Sequence, residues 1–389
     1  MAQAHLNWTV SSLIAGATLV FAASLFAASD SNDWRLRWDK TVNAAKKESV
    51  VSLYGGEEIT HPDIIGEFRK EYPGIKVVTV SGHSEVIQRI VAERRAGKYL
   101  VDLFAYGPGS ARSAYLGGFL DPIPPALILP EVTDMSKWYG GKHHYGDAEG
   151  KYIFIYEGTP NSPSLAYNTK EVNPTELNSV WDILNAKWVG KIGFFRYGEG
   201  NSIPTPVLMF YHNPEVGPEF LKRLFGEMKL TISANRRQAT DWLAQGKYSL
   251  CVMCRDLEKA QKQGLPVAAF GPNDLKEGGS LGGGSASVIT LANRSPNPNA
   301  AKVFLNWYLS RQGQMTWQRV MNQKVQEPSH SMRTDISTDD VLPEARRVEG
   351  RKYPFVGFLD PKPVQKIYQE LLLKAEPPLE AGTGLQRGR

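Results

Sequence analysis

SVVSLYGGEEITHPDIIGEFRKEYPGIKVVTV, Ser49 to Val80, decides the fold class. Its first residues, SVVSLY, are a short β-branched, apolar run of the kind that forms a buried strand. Two glycines break that run. Thr60 is then placed to cap a helix with Pro62 in its first turn. Ile64, Ile65, Phe68 and Tyr72 follow at the spacing that puts them on one helical face. After Gly74, IKVVTV is a second strand. Strand, helix and strand in so short a space imply parallel pairing through a crossover helix, and hence an α/β protein.

The same alternation continues on both sides. Val86, Ile87, Ile90 and Val91 form the apolar face of a helix ending at Gly97, and VDLFAY (Val101–Tyr106) is a third strand. At Leu120 the pattern changes, because DPIPPALILPEV is too rich in proline for either regular element. A second α/β unit follows, with strands in YIFIY, SPSLAYNT and KIGFF and a helix through Phe220, Leu221, Leu224 and Phe225. SASVITLA is a late strand. Two further helices carry Phe304, Leu305, Tyr308 and Leu309, then Val364, Ile367, Tyr368, Leu371, Leu372 and Ala375. The tail, EAGTGLQRGR, is expected to be disordered. A chain of 389 residues accommodates two such domains.

Composition narrows the function. The formal net charge is only +5, with no block of lysine and arginine and no aromatic-interleaved basic stripe, so nucleic acid is not an expected partner. VSSLIAGATLVFAASLFAA (Val10–Ala28) carries no charge and gives way to SDSNDWRLR, the form of a signal peptide over residues 1–28 cleaved near Ala28. The only cysteines, Cys251 and Cys254, are too few for a tetrahedral zinc site. They read as an incidental pair, buried or lightly bridged, rather than a redox centre. KEGGSLGGGSASVITLA (Lys276–Ala292) is glycine-rich, but its glycines precede a strand and no lysine follows them, which excludes a phosphate loop. No nucleophile–base constellation is legible.

VVSLYGGEE, FRKEYPGIKVVTVSG, VAERRAGKYLVDLFAYG, GGFLDPI, LAYNTKEVNPTELNSVWDILNAKWVGKIG, LAQGKYSL and NPNAAKVFLNWYLSRQGQ occur in one order between Val50 and Gln314. In that order they resemble the family 1 extracellular solute-binding proteins, the capture subunits of ATP-driven importers, and most of all the ferric-iron-binding branch. The resemblance implies a type II periplasmic-binding-protein fold: two doubly wound mixed sheets joined by crossover strands, with the ligand cleft between. It implies lobe 1 from residues 29–157 and 284–335, lobe 2 from 158–283 and 336–389, and GGSLGGGSAS at a crossover. It also implies a monomeric periplasmic receptor that serves a cognate ABC permease in the inner membrane, with no catalysis and no cofactor.

Ligands of doubly wound sheets sit beyond the carboxyl ends of the strands. The loops there offer Tyr54, Gly55, Gly56 and Glu58; Ser84; Tyr106 and Gly107; Arg196, Tyr197 and Ser202; Arg236; Arg255; and Gly284. Iron-binding members of the family carry adjacent tyrosines where this chain has Cys254 and Arg255. Their histidine ligand falls on Glu58 and their glutamate ligand near Gly107. A hard trivalent cation needs anionic oxygen donors, so these replacements oppose iron and no metal ligand is assigned. Arginine presents a planar fork matched to carboxylate or phosphate. The expected ligand is a small organic anion, with ferric iron the alternative and an exported enzyme the least favoured reading.

Overall fold

The structure, a computed structural model, describes residues 33–82, 85–196, 203–277, 279–282 and 287–375. The expected leader, the tail, Ser84, Tyr197, Ser202 and Gly284 lie outside the described residues, as do Gly278 and residues 283–286 of the glycine loop.

In chain order the first part lays down β1 (Val50–Gly55), β2 (Lys76–Ser81), β3 (Leu103–Tyr106), β4 (Leu120–Asp121), β5 (His144–Tyr145) and β6 (Ile153–Ile155). The second part supplies β7 (Leu165–Asn168), β8 (Ile192–Phe195), β9 (Thr231–Ser233), β10 (Leu250–Val252) and β11 (Val267–Ala269). The chain then returns through β12 (Leu281–Gly282) to β13 (Val288–Ala292), and ends with β14 (Phe355–Val356) and a helix, Lys362–Ala375. Two principal mixed sheets result. One runs β2-β1-β3-β13-β6-β5, with β4 beside β13, and the other runs β11-β7-β10-β8-β9.

The Ser49–Val80 stretch folds as its pattern demands. β1 and β2 pair in parallel along their whole length, and the helix Pro62–Glu71 crosses between them with Ile64 and Phe68 buried. Its cap differs from the sequence expectation. His61 is the capping residue, its Nδ1 accepting from the Asp63 amide, while Thr60 ends a separate short helix, Glu57–Thr60. A residue before proline is pushed out of the helical region, which leaves His61 extended and makes it the cap.

Each sheet has its own core. On one face of the first sheet the Phe68 ring packs 4.9 Å from Phe304 and 5.3 Å from Trp307. Tyr54, Val86, Ile90 and Phe104 fill the other face. Asp102, wholly buried, accepts from the Ser52 and Asn297 amides and the Ser295 hydroxyl, tying β1 to the turn after β13. The second core gathers Phe194, Phe225, Leu224 and Leu243, and closes with Val364 and Tyr368 of the last helix.

Three segments link the two parts. The first leaves β6 through Glu157–Asn161, and the second returns through Ser280 and β12. The Asn161 amide donates to the Ser280 and Gly282 carbonyls across them. The third runs beside β12: Tyr353 belongs to the first core, β14 pairs with β12, and Val356 and Leu359 belong to the second core. Arg351 fixes its approach by donating to the Asn273, Leu275 and Lys276 carbonyls.

Candidate functional site

Strand register locates the cleft. In the first sheet Val288 of β13, where the chain returns, pairs with Tyr106 at the end of β3 and with Ile155 at the end of β6. The carboxyl ends of β1, β2 and β3 therefore lie along the edge where the crossovers attach. In the second sheet Val252, the last residue of β10, pairs with Leu165, the first residue after the crossover. β8 and β9 run parallel to β10. The carboxyl ends of both sheets meet the connecting segments, and the space between those edges is the candidate site.

The first wall is built on close backbone approach. A Cβ on Gly55 would stand 2.1 Å from the Ala105 carbonyl oxygen, so β1 and β3 meet there only because residue 55 is glycine. The next amide, Gly56, donates to the Glu58 carboxylate at 3.3 Å. The Glu58 carbonyl is held from below by the Tyr308 hydroxyl, which also meets that of Tyr156. Tyr106 is half-buried at the end of β3, where burial and then Glu58 raise its phenol above the ordinary range. Gly107 begins the helix Pro108–Leu116 with no side-chain cap. Tyr54 goes elsewhere: its ring is buried under the sheet and its hydroxyl donates to Glu93 at 3.0 Å.

The second wall carries the arginines. The Arg196 amide, just past β8, donates to the Ser233 carbonyl at the end of β9. Asn235 caps the helix Arg236–Ala244. Arg236 is paired with Asp256 at 2.5 Å, and both side chains are about half exposed. Arg255 is exposed, and its carbonyl accepts from Thr240 at 2.7 Å. Cys251 and Cys254 are joined as a disulfide beneath this turn. The strand ends thus bring Arg196, Arg236 and Arg255 to the carboxyl edge of the second sheet, and Gly55, Gly56, Glu58, Tyr106 and Gly107 to the carboxyl edge of the first.

Sequence reasoning missed Glu157. It is buried at the first crossover, and its carboxylate accepts from the Thr159 hydroxyl (2.6 Å) and the Ser287 amide of the returning segment (2.7 Å). Its signal was a lone carboxylate ending the apolar run YIFIY. Burial pushes Glu157 up to about 7 against those hydrogen bonds, with Glu327 adding repulsion. Burial likewise pushes Glu58 up to about 7, with Glu327 and Glu157 adding repulsion against the Gly56 amide. Among the described residues no three His, Cys, Asp or Glu side chains converge where a metal ion could be held.

A pH dependence of stability follows. Both carboxyls bind a proton more tightly in the folded chain than in the unfolded one, where they titrate near 4.5. Their stabilising effect is complete below that value and is lost as pH rises to about 7. A tenfold change in proton affinity is about 1.4 kcal/mol. Chemical denaturation should therefore show stability falling between about pH 4.5 and 7, and Glu157→Gln should flatten that fall by about 3 kcal/mol. Parallel curves for the two proteins would show that Glu157 does not titrate in this window.

Comparison with known proteins agrees with this architecture. A structure described as an ABC transporter from Clostridium perfringens superposes with a TM-score of 0.58 at 14% identity, covering 84% of this chain and all of that one. A Trichodesmium protein (IdiA, FutA) solved in complex with iron and citrate gives 0.54 at 16% identity over 84% of this chain and 96% of that one. The apo FutA2 of Synechocystis gives 0.51 at 14% identity, over the same shares of the two chains. Identities this low carry the fold alone. No curated protein matches the chain in sequence. Among the described residues no helix is long and apolar enough to cross a membrane. Residues 63–323 match the bacterial extracellular solute-binding proteins. The chain belongs to that family of solute-binding proteins, with the two-sheet fold of type II periplasmic binding proteins.

Proposed function

We propose that this protein is a periplasmic receptor that captures a small organic anion, a carboxylate or a phosphorylated compound, by closing its lobes, and then delivers it to an inner-membrane permease. The carrying observation is the convergence of Arg196, Arg236 and Arg255 at the carboxyl edge of the second sheet, facing the crossovers. Closure would remove water from that edge and strengthen each charge-assisted contact. The lobes are taken as residues 29–157 with 284–353, and 158–283 with 354–389, the last boundary moved from the 335 expected from the sequence because Tyr353 packs in the first core. The receptor acts as a monomer, without covalent chemistry, after export and cleavage near Ala28.

Glu58 favours a second reading, in which a ferric ion accompanies the anion, because it sets a carboxylate on the opposite wall. The citrate held with iron in the Trichodesmium relative is a precedent for such a pairing. Against it stand Cys254 and Arg255, where iron-binding relatives are expected to carry phenolate donors. A thermal-shift screen of carboxylates, phosphates and ferric salts separates the readings, since a ligand raises apparent stability by mass action. With the best anion, solution scattering should give a smaller radius of gyration than the free protein does. An unchanged radius at saturation would remove lobe closure from the mechanism.

A further inference from the structure

The turn Val252–Asp256 is held in a conformation its residues do not favour. Met253 and Asp256 have φ of +66° and +57°, the left-handed region that residues bearing a side chain seldom enter. Such backbone persists where its surroundings over-determine it. Three hydrogen-bonded ties act here: the Met253 amide donates to the Ser164 carbonyl, Thr240 to the Arg255 carbonyl, and Arg236 to Asp256. The fourth tie is covalent. The Cys251–Cys254 bridge spans Met253 with Cα atoms 5.8 Å apart, and both cysteines are buried. Arg255 stands between the bridged Cys254 and the paired Asp256, so its direction is set by this turn.

We propose that the Cys251–Cys254 disulfide is a positioning bridge for ligand recognition: oxidised, it presents Arg255 to the cleft, and reduced, it lets the turn relax and withdraw it. The proposal rests on the reading of the cleft as the ligand site. The reductant is a dithiol. One thiolate attacks Sγ of Cys254, which at 8% exposure is more accessible than Cys251 at 0%. The disulfide breaks, Cys251 leaves as a thiolate and takes a proton, and a mixed disulfide forms. The reagent's second thiol resolves it, leaving two protein thiols and a cyclic disulfide. A chain that has not met an oxidising compartment is then a poor receptor, and oxidation after export completes it.

Hydrogen exchange on the full chain tests this without a ligand, comparing the oxidised protein with the dithiothreitol-reduced one, two thiols being confirmed by titration. Amides of residues 253–262 should exchange at least tenfold faster after reduction, while β7 and β8 keep their protection. Equal exchange in both forms would overturn the proposal, because the turn would then be held without the bridge. Uniform acceleration across the second lobe would also overturn it, by making the bridge a staple of the core. Citrate is the binding probe. A citrate-induced thermal shift that disappears on reduction supports the proposal, and one that survives reduction contradicts it. A citrate shift absent from both forms counts against the anion reading, and the exchange result then decides the positioning claim by itself.

Discussion

Arg255→Ala is expected to weaken anion binding at least tenfold while leaving the free protein as stable as before. In the unliganded chain the side chain is exposed, and Thr240 holds the backbone carbonyl rather than the guanidinium. Its removal therefore touches nothing that keeps the fold, and exposed substitutions of this sort stay within about 0.5 kcal/mol. Closure changes the balance. A guanidinium that contacts a carboxylate or phosphate in a dried cleft is worth roughly 2–5 kcal/mol when truncated, and about 1.4 kcal/mol is tenfold in affinity. Arg236→Ala should cost no less, since it also strips Asp256 of its cation and leaves a carboxylate beside the ligand. Arg237, 90% exposed on the same helix, is the fitting control. Arg351 is not, because three carbonyls already occupy it. Calorimetry showing wild-type affinity in both cleft variants would end the anion assignment.

Arg333→Ala is expected to lower the stability of the first lobe by about 3–5 kcal/mol, the usual cost of removing one partner from a buried ion pair. Its side chain is fully buried. Nε and Nη2 grip the two oxygens of Asp335 at 2.9 and 2.8 Å, and Nη1 donates to the Leu309 and Glu131 carbonyls. The guanidinium also lies over the Trp138 ring. Alanine would leave these acceptors facing a void, and lysine could not reproduce the planar fork. Denaturant titration gives the number directly. A loss below about 1 kcal/mol would mean that water takes over the vacated contacts.

The α/β character was legible because the crossover unit at Ser49–Val80 is periodic and punctuated, and its buried face is the one its spacing predicts. Local chemistry was legible to within one residue: proline moved the helix cap from Thr60 to His61. Which loops sit at strand ends was also readable, and Arg196, Arg236, Arg255, Glu58 and Tyr106 came from that logic. Side-chain direction was not. Tyr54 and Gly55 are neighbours on one strand end, but alternation sends the Tyr54 ring under the sheet to Glu93. Glu157 stayed hidden because its partner, Ser287, is far along the chain and only the paired crossovers bring the two together. The third link was expected near residue 335 and lies at β14 for the same reason: β14 is two residues long, and its role depends on β12 beside it. The cysteine pair read as buried or lightly bridged, and the structure joins the two as a disulfide.

The third link has a consequence for the order in which the protein comes into being. A growing chain makes β1 to β6 early, but their sheet lacks its central β13, and Glu48 waits for the Asn299 and Ala300 amides it will cap. The sheet that begins at Leu165 waits longer still, for Val364 and Tyr368 near the end of synthesis. Contacts so distant in sequence form slowly, because loop closure must precede any gain from them. Neither half can therefore finish folding while ribosomes are still at work on the middle of the chain, and a nascent polypeptide of this kind remains threadable until late. A chain stopped at residue 350 would lack Tyr353 from one core and Val364 and Tyr368 from the other, so one late truncation unsettles both lobes together.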